Sequence, residues 1–418
     1  MTMSVIKKLP KKDYTAFVDI VANAYPGFKL ITEQDKKKSK KRLLTLTKDT
    51  AVNHYGLYRK GKLLGGMALY DFNMNLLSIK IKIGGIGLIG VDLLHKKEQV
   101  CKEMVYYFLE QYRKKGVNLV ALYPFRPDFY KKMGFGYGTK VSQYRVRPVD
   151  LPKGKSKEHI HFLKKTDKRA LKNCYYRFFT KMHGMIENRD YKWDDLFDHP
   201  EVKIIGYKKG NKILGYIVFT FKKSKGDNWL DNDILVREFI YEDRDVFLEL
   251  LTFLHIQLDQ FNRVIFDIHD EYLHHLLLDP RNGSDNLLMP LAHETNVQGV
   301  GIMYKVINMK GMFKSMRKHN FNNQTCNLKI FIMDSFFKKN EGSTIIQFER
   351  GKPNIRSKHD YDVEIRLDVS DFSSLLMGVV NFKTLYKYGI AEISAPQYID
   401  TVNKIFITEE KPMCTTMF

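Results

Sequence analysis

The chain has 418 residues, 44% of them hydrophobic, and 69 Lys and Arg against 47 Asp and Glu give a formal charge of +22. This length implies two or three domains, each with enough apolar content for its own core. The basic excess is mostly lysine spread along the chain, without the arginine forks interleaved with aromatics that base readout needs; this sets nucleic acid aside and points to a soluble Lys-rich surface that helps attract an anionic cofactor.

Four cysteines (Cys101, Cys174, Cys326 and Cys414) lie far apart with no paired spacing, which fits a reducing cytoplasm better than a disulfide framework or a zinc ribbon. The first residues lack a long apolar core and no apolar run reaches ~18 residues, so neither a secretion signal nor a membrane span is expected.

In chain order, a first helix is predicted over 12–24, closed by Tyr25, Pro26 and Gly27. The basic run from Asp35 to Arg42 reads as a solvated helix face rather than a specific anion site. Two strands then meet at a Gly61-Lys62 turn as a hairpin over 56–70. An apolar strand, Ile86 to Val91, ends in the turn Asp92 to Gln99 and hands over to a helix, Val100 to Arg113. Helix first-turn N–H groups lack intrahelical partners and the dipole favours an anion there, so this is a phosphate-binding geometry. Val100, Met104, Phe108 and Tyr112, with Val105 and Leu109, form one stripe that pins the helix to a sheet, and Gly116 ends it. Gly84, Gly85 and Gly87 suit a bulge or tight bend and lack a phosphate-loop pattern. A strand over 117–123 leads into a segment running through Tyr130 to Tyr137.

The hairpin has a twin: Gly206 and Gly215 repeat Gly56 and Gly65, each 150 residues on. A repeat of domain length means two tandem copies of one fold, since solenoid periods are ~20–50 residues. Each copy reads as helices, a hairpin, a strand, a helix and a strand, a mixed α/β sheet. The second copy's turn, Tyr241 to Asp245, carries three carboxylates. They cap a helix well but repel a pyrophosphate, so this copy should keep the fold and lose the phosphate site. Past Met303 the pattern changes to strands over 327–334, 343–350 and 362–369, then helices near 370–376, 381–388 and 396–403. In the third strand, Val363, Ile365, Leu367 and Val369 alternate with polar residues. This is a compact α+β third domain. The boundaries expected are therefore 1–150, 151–303 and 304–418.

The order of parts resembles the Eis (enhanced intracellular survival) acetyltransferases of the GNAT superfamily, over essentially the whole chain. Three matches carry this: Ile89, Gly90 and Val91 followed by His95, Lys96 and Lys97; Tyr130, Gly134, Phe135 and Gly136; and Pro412, Cys414 and Phe418 at the terminus. The turn departs from the family's pattern, since Gln99 stands where glycine lets the backbone approach a pyrophosphate and Glu98 adds a like charge. The resemblance implies two GNAT folds, the second degenerate, plus a sterol-carrier-protein-like domain, with acetyl-CoA as co-substrate and a trimeric or hexameric homo-oligomer. It implies primary amine acceptors, either aminoglycoside-like polyamines or lysine side chains.

On that resemblance the cofactor-binding residues are Ile89, Val91, Lys96, Lys97, Gln99, Val100 and Cys101. Backbone N–H groups along 89–91 would polarise the thioester, and the turn amides of 97–101 would hold the pyrophosphate. Tyr130 is the expected proton donor, and the terminal carboxylate on Phe418 the expected base. Asp267, His269, His274 and His275 match no metal motif and no metal is expected; His95 reads as a turn residue, and Cys101 and Cys414 as packed thiols. The competing reading is a binding protein holding an apolar ligand in its third domain. Tandem-GNAT aminoacyl transfer leaves the third domain and the terminus unexplained.

Overall fold

The computed structural model describes residues 3–224, 228–356 and 360–418. These form two compact units, one of residues 1–138, 302–412 and 417–418, the other of 139–301 and 413–416.

In the first unit, β1 (Val5–Lys8) precedes helices α1 (Tyr14–Ala24) and α2 (Glu33–Leu46). Strands β2 (Val52–Arg59), β3 (Lys62–Leu76) and β4 (Ile79–Val91) lead to α3 (Val100–Lys114), β5 (Leu119–Leu122), the short α4 (Pro127–Lys131) and β6 (Gly136–Tyr137). The sheet order is β1-β2-β3-β4-β5, then the strand Met303–Val306, then β6. Helix α1 packs Tyr14, Phe17, Val18, Ile20 and Val21 in one cluster with Leu9, Tyr58 and Leu63. The predicted stripe of α3 is wholly buried in another, against Leu64, Met67, Leu69 and Ile86. Burying six such side chains contributes on the order of 10 kcal/mol before the entropy of ordering them.

The third domain's sheet sets Cys326–Met333 between Gly342–Glu349 and Val363–Asp368, with Lys352–Arg356 and Ala391–Ile393 at its edges. Its helix Val369–Leu376 reaches the first sheet: Ser373 Oγ accepts from the Val306 N–H at 3.0 Å and Ser374 Oγ donates to the Tyr137 carbonyl at 2.8 Å. The fully buried Lys305 ties the same parts together, donating to the Met133 carbonyl and to Asp334, each at 2.8 Å.

The second unit repeats the sheet in the order Asn296–Gly299, Val141–Val146, Val264–Ile268, Asn232–Tyr241, Lys212–Lys223, Lys203–Lys209, Ile160–Phe162. Val141–Val146, counted with the first domain in the sequence reading, pairs here with Val264–Ile268 and Asn296–Gly299. Even the bulge repeats: register slips between Gly66 and Ala68 in the first copy and between Val218 and Phe219 in the second. At that second bulge Glu238 is half-buried as a residue with its carboxyl turned inward, where desolvation pushes it up while it accepts from Tyr216 Oη and Thr415 Oγ1, each at 2.8 Å. Among the described residues no helix is long and apolar enough to cross a membrane.

Candidate active site

Strands β4 and β5 run parallel and pair over Ile83–Ile86 and Leu119–Leu122 only, then part. Past that point β4 continues to Val91 against β3 alone, bulged where Leu88 takes a left-handed φ of 47°. The β5-facing edge of residues 87–91 therefore carries backbone donors and acceptors with no strand partner, which a ligand's amides can pair with.

Phe418 lies at this fork. A Cβ on Gly87 would be 2.9 Å from its carboxyl carbon, and one on Gly85 would be 2.8 Å from its ring. The ring is held by Tyr70, Phe72 and Tyr123, at centroid distances of 5.7, 4.9 and 5.4 Å. Gly84 leaves room for Tyr112 on the α3 side. The three glycines are thus places of close approach within paired strand, and Gly87 borders the bulge expected there, while no tight bend interrupts the strand.

Tyr130 projects from α4 into the core that also holds Ile89, Val91 and Val100, and is 2% exposed. It meets Phe125, Phe129 and Phe135 edge-on. Burial raises its pKa well above the ordinary phenol value, with Cys101 and Tyr25 adding to the effect. Among the described residues no donor or acceptor engages its hydroxyl. Tyr25 donates to the Ile89 carbonyl at 3.0 Å, and burial pushes it up to about 12. The Cys101 thiol is likewise pushed up to about 12 by burial, so it stays protonated and is no nucleophile at neutral pH.

The turn before α3 has an exposed, basic outer face at Lys96 and Lys97. Lys97 and Gln99 both hold left-handed backbone, φ 64° and 65°, and Gln99 is the N-cap of α3. Glycine is absent from the positions where it would cost least. Glu98 does not stand free in this turn. Arg59 binds its carboxylate at 3.1 Å and its carbonyl at 2.8 Å, and also Glu103 at 2.7 Å, while His95 Nδ1 lies 3.2 Å from the Glu98 carboxylate. Arg59, Tyr25 and the aromatic cradle of Phe418 escape sequence reading because each is remote in sequence from the motif it serves.

In the second unit, Asp243 caps the helix Arg244–His255 by accepting from the Val246 N–H at 3.0 Å, and Glu242 pairs with Arg177. Two of the turn's three carboxylates are thus engaged by the fold, and the third, Asp245, is exposed. Asp267 accepts from Gln143 at 2.9 Å, and the rings of His274 and His275 lie against each other at a tilt of 37°. Among the described residues no group of three or more His, Cys, Asp or Glu side chains could hold a metal.

Acetyltransferase (GNAT) domain models match residues 5–138 and 184–297, and a sterol carrier protein domain model matches 312–415. No curated protein matches the sequence. Among solved structures the chain is similar to a GCN5-related N-acetyltransferase from Anabaena variabilis (15% identity, TM-score 0.80) and a probable N-acyltransferase from Enterococcus faecalis (17%, 0.78). It is similar also to Eis1 from Mycobacterium abscessus (17%, 0.76), and all three alignments cover 100% of both chains. The chain is a GNAT N-acetyltransferase. It has the Eis-like architecture of two GNAT folds followed by a sterol-carrier-protein-like domain.

Proposed function

We propose that the chain transfers acetyl from acetyl-CoA to a primary amine, with the first GNAT domain catalytic, the second a GNAT domain without a cofactor, and the third the domain that ends in the base. The observation that carries this is the Phe418 carboxyl against Gly87, at the fork of β4 and β5. Ile89 and Val91 offer the open strand edge; Lys96, Lys97, Gln99, Val100 and Cys101 form the turn and first helical residues that suit a pyrophosphate. Bound acetyl-CoA supplies the activated acetyl group. Tyr130 keeps its proton at neutral pH and has a hydroxyl free to donate toward a departing thiolate, whose own basicity rises in the same buried setting. The Phe418 carboxylate, lying beside Gly87 at the fork, accepts the amine's proton.

The acceptor follows from the walls. A carboxylate carried by a residue whose ring packs among Tyr70, Phe72 and Tyr123 suits a cationic amine by charge, so polyamines of the aminoglycoside kind or lysine side chains are the substrate class. Four free thiols support a reducing, cytoplasmic setting. A homo-oligomer, trimeric or hexameric, is part of the same reading and is checked by light scattering. The central test is deletion of Phe418, assayed by CoA release with a polyamine panel and by thermal shift with acetyl-CoA. Transfer should be lost while the shift persists, about 2.7 kcal/mol at ~100 times the dissociation constant. Undiminished transfer after the deletion, or no shift at millimolar acetyl-CoA, overturns the reading.

A further inference from the structure

A second concave site lies away from the fork, between β1, α1, α2 and the start of β2. It is a cleft of about 720 Å³. Six of its 14 lining residues are lysines (Lys8, Lys11, Lys37, Lys40, Lys41 and Lys48), and none is Asp or Glu. Among the described residues none of the six is paired with a carboxylate, though Lys40 donates to Thr15 at 2.7 Å. The neighbouring Lys36, by contrast, pairs with Asp19 at 2.8 Å. Like charges left unneutralised around one concavity repel each other and focus a positive potential there.

The floor carries the second observation. His54 lines the cleft and is 2% exposed. Its Nδ1 shares a hydrogen bond of 3.1 Å with Tyr14 Oη, while its Nε2 is buried with no partner among the described residues. With Tyr14 donating, Nε2 carries the hydrogen and is a donor in want of an acceptor. The fold does not require this. His54 pairs with Ala68, and the register-equivalent residue of the second copy, paired with Val218, is the buried Ile204. The helix before the second hairpin, Asp190–Asp198, is acidic where α2 is basic. One copy thus carries a cationic cleft with an unsatisfied imidazole where its twin carries isoleucine and carboxylates.

We propose that this cleft binds a small molecule bearing two or more phosphate groups, distinct from acetyl-CoA and independent of the transfer reaction. Lysines are compact point charges that suit phosphate without the planar matching arginine imposes, and the volume is that of a small-ligand site. The basic run of α2, which reads from sequence as a solvated face, is on this view one wall of the site.

The test is calorimetric titration of the full chain with sodium tripolyphosphate, without acetyl-CoA, at low and at physiological salt. Binding should appear and weaken with salt, and the combined Lys37→Ala, Lys41→Ala and Lys48→Ala variant should lose about tenfold in affinity. These three lysines are exposed, so the variant should fold. His54→Ile combined with Tyr14→Phe, so that no buried hydroxyl loses its acceptor, should lower affinity without lowering the melting temperature. Lys96→Ala with Lys97→Ala, in the cofactor turn, should leave this binding intact. Three results overturn the proposal: no binding to the wild-type chain, binding lost only in the Lys96/Lys97 variant, or displacement of triphosphate by a random single-stranded oligonucleotide at lower concentration.

Discussion

Gly87→Ala probes the fork with a single methyl group. The new Cβ would lie 2.9 Å from the Phe418 carboxyl carbon, 3.1 Å from a carboxyl oxygen and 3.3 Å from the Tyr70 ring. Carbon contacts are relaxed at about 3.5–4.0 Å, so the carboxyl must retreat by roughly 0.6–1 Å. Displacing a reacting group by ~1 Å costs up to about 10²-fold, equivalent to about 2.7 kcal/mol of barrier. Stability should change little, because Ala in place of Gly restricts the unfolded chain by about 0.4–1 kcal/mol and offsets part of the crowding. Gly27→Ala is the control, since nothing lies within 4 Å of a Cβ there. Steady-state CoA release gives kcat and KM, and differential scanning fluorimetry gives the melting temperature. The expected pattern is kcat reduced between tenfold and a hundredfold, with KM for acetyl-CoA and the melting temperature near wild type. Wild-type kcat in Gly87→Ala refutes the role of the carboxyl. Unchanged kcat with a raised KM refutes it too, by placing the obstruction at cofactor entry.

Tyr130→Phe should lower kcat by about 10²–10⁴-fold and leave chemical denaturation midpoints unchanged, because its hydroxyl makes no hydrogen bond that the fold would lose; retained kcat would remove it as the acid. Gln99→Gly relieves a left-handed side chain worth about 1–2 kcal/mol, less up to about 1 kcal/mol of added unfolded-state entropy. It should tighten acetyl-CoA binding in calorimetry without lowering the melting temperature. His54 gives a pH signature: burial lowers its pKa to about 4, against about 6.5 unfolded. Between those values the unfolded chain binds more protons, so stability falls as pH drops through the window, by about 2 kcal/mol from pH 7 to pH 5. His269, lowered by burial to about 4 as well, adds a slope of the same sign, so urea titrations at the two pH values should show the slope in wild type and its reduction by about 2 kcal/mol, not its loss, in His54→Ile.

Periodicity carried much of the fold. The glycines at 56, 65, 206 and 215 exposed the duplication because a hairpin turn and a close strand crossing constrain composition locally. The α3 stripe was legible for the same reason, as six apolar side chains at helical spacing have one way to be buried. What stayed hidden depends on residues that only folding brings together. Arg59, from the hairpin, neutralises Glu98, so the apparent flaw in the turn is answered from 39 residues away. Gly85 and Gly87 look in isolation like a bulge or tight bend; the bulge does follow Gly87, but their role as close-approach sites emerges only once Phe418 lies on them. His54 has no signature at all, since a lone histidine in a strand matches no motif until its unpartnered nitrogen is seen.

The strand Met303–Val306 pairs with β5 on one side and β6 on the other, although β5 ends at Leu122. The first sheet is therefore incomplete while residues 139–301, which belong to another unit, are being synthesised. Until then all four residues of β5, buried in the finished sheet, line a raw edge able to pair with any passing strand. Closing a contact at such sequence separation is slow, and the exposure invites aggregation during that interval. The second unit's sheet, whose strands all fall within 139–301, can form first. The N-terminal segment is thus a late-maturing domain. Expression of residues 1–138 alone should yield insoluble protein, whatever the merits of its catalytic residues.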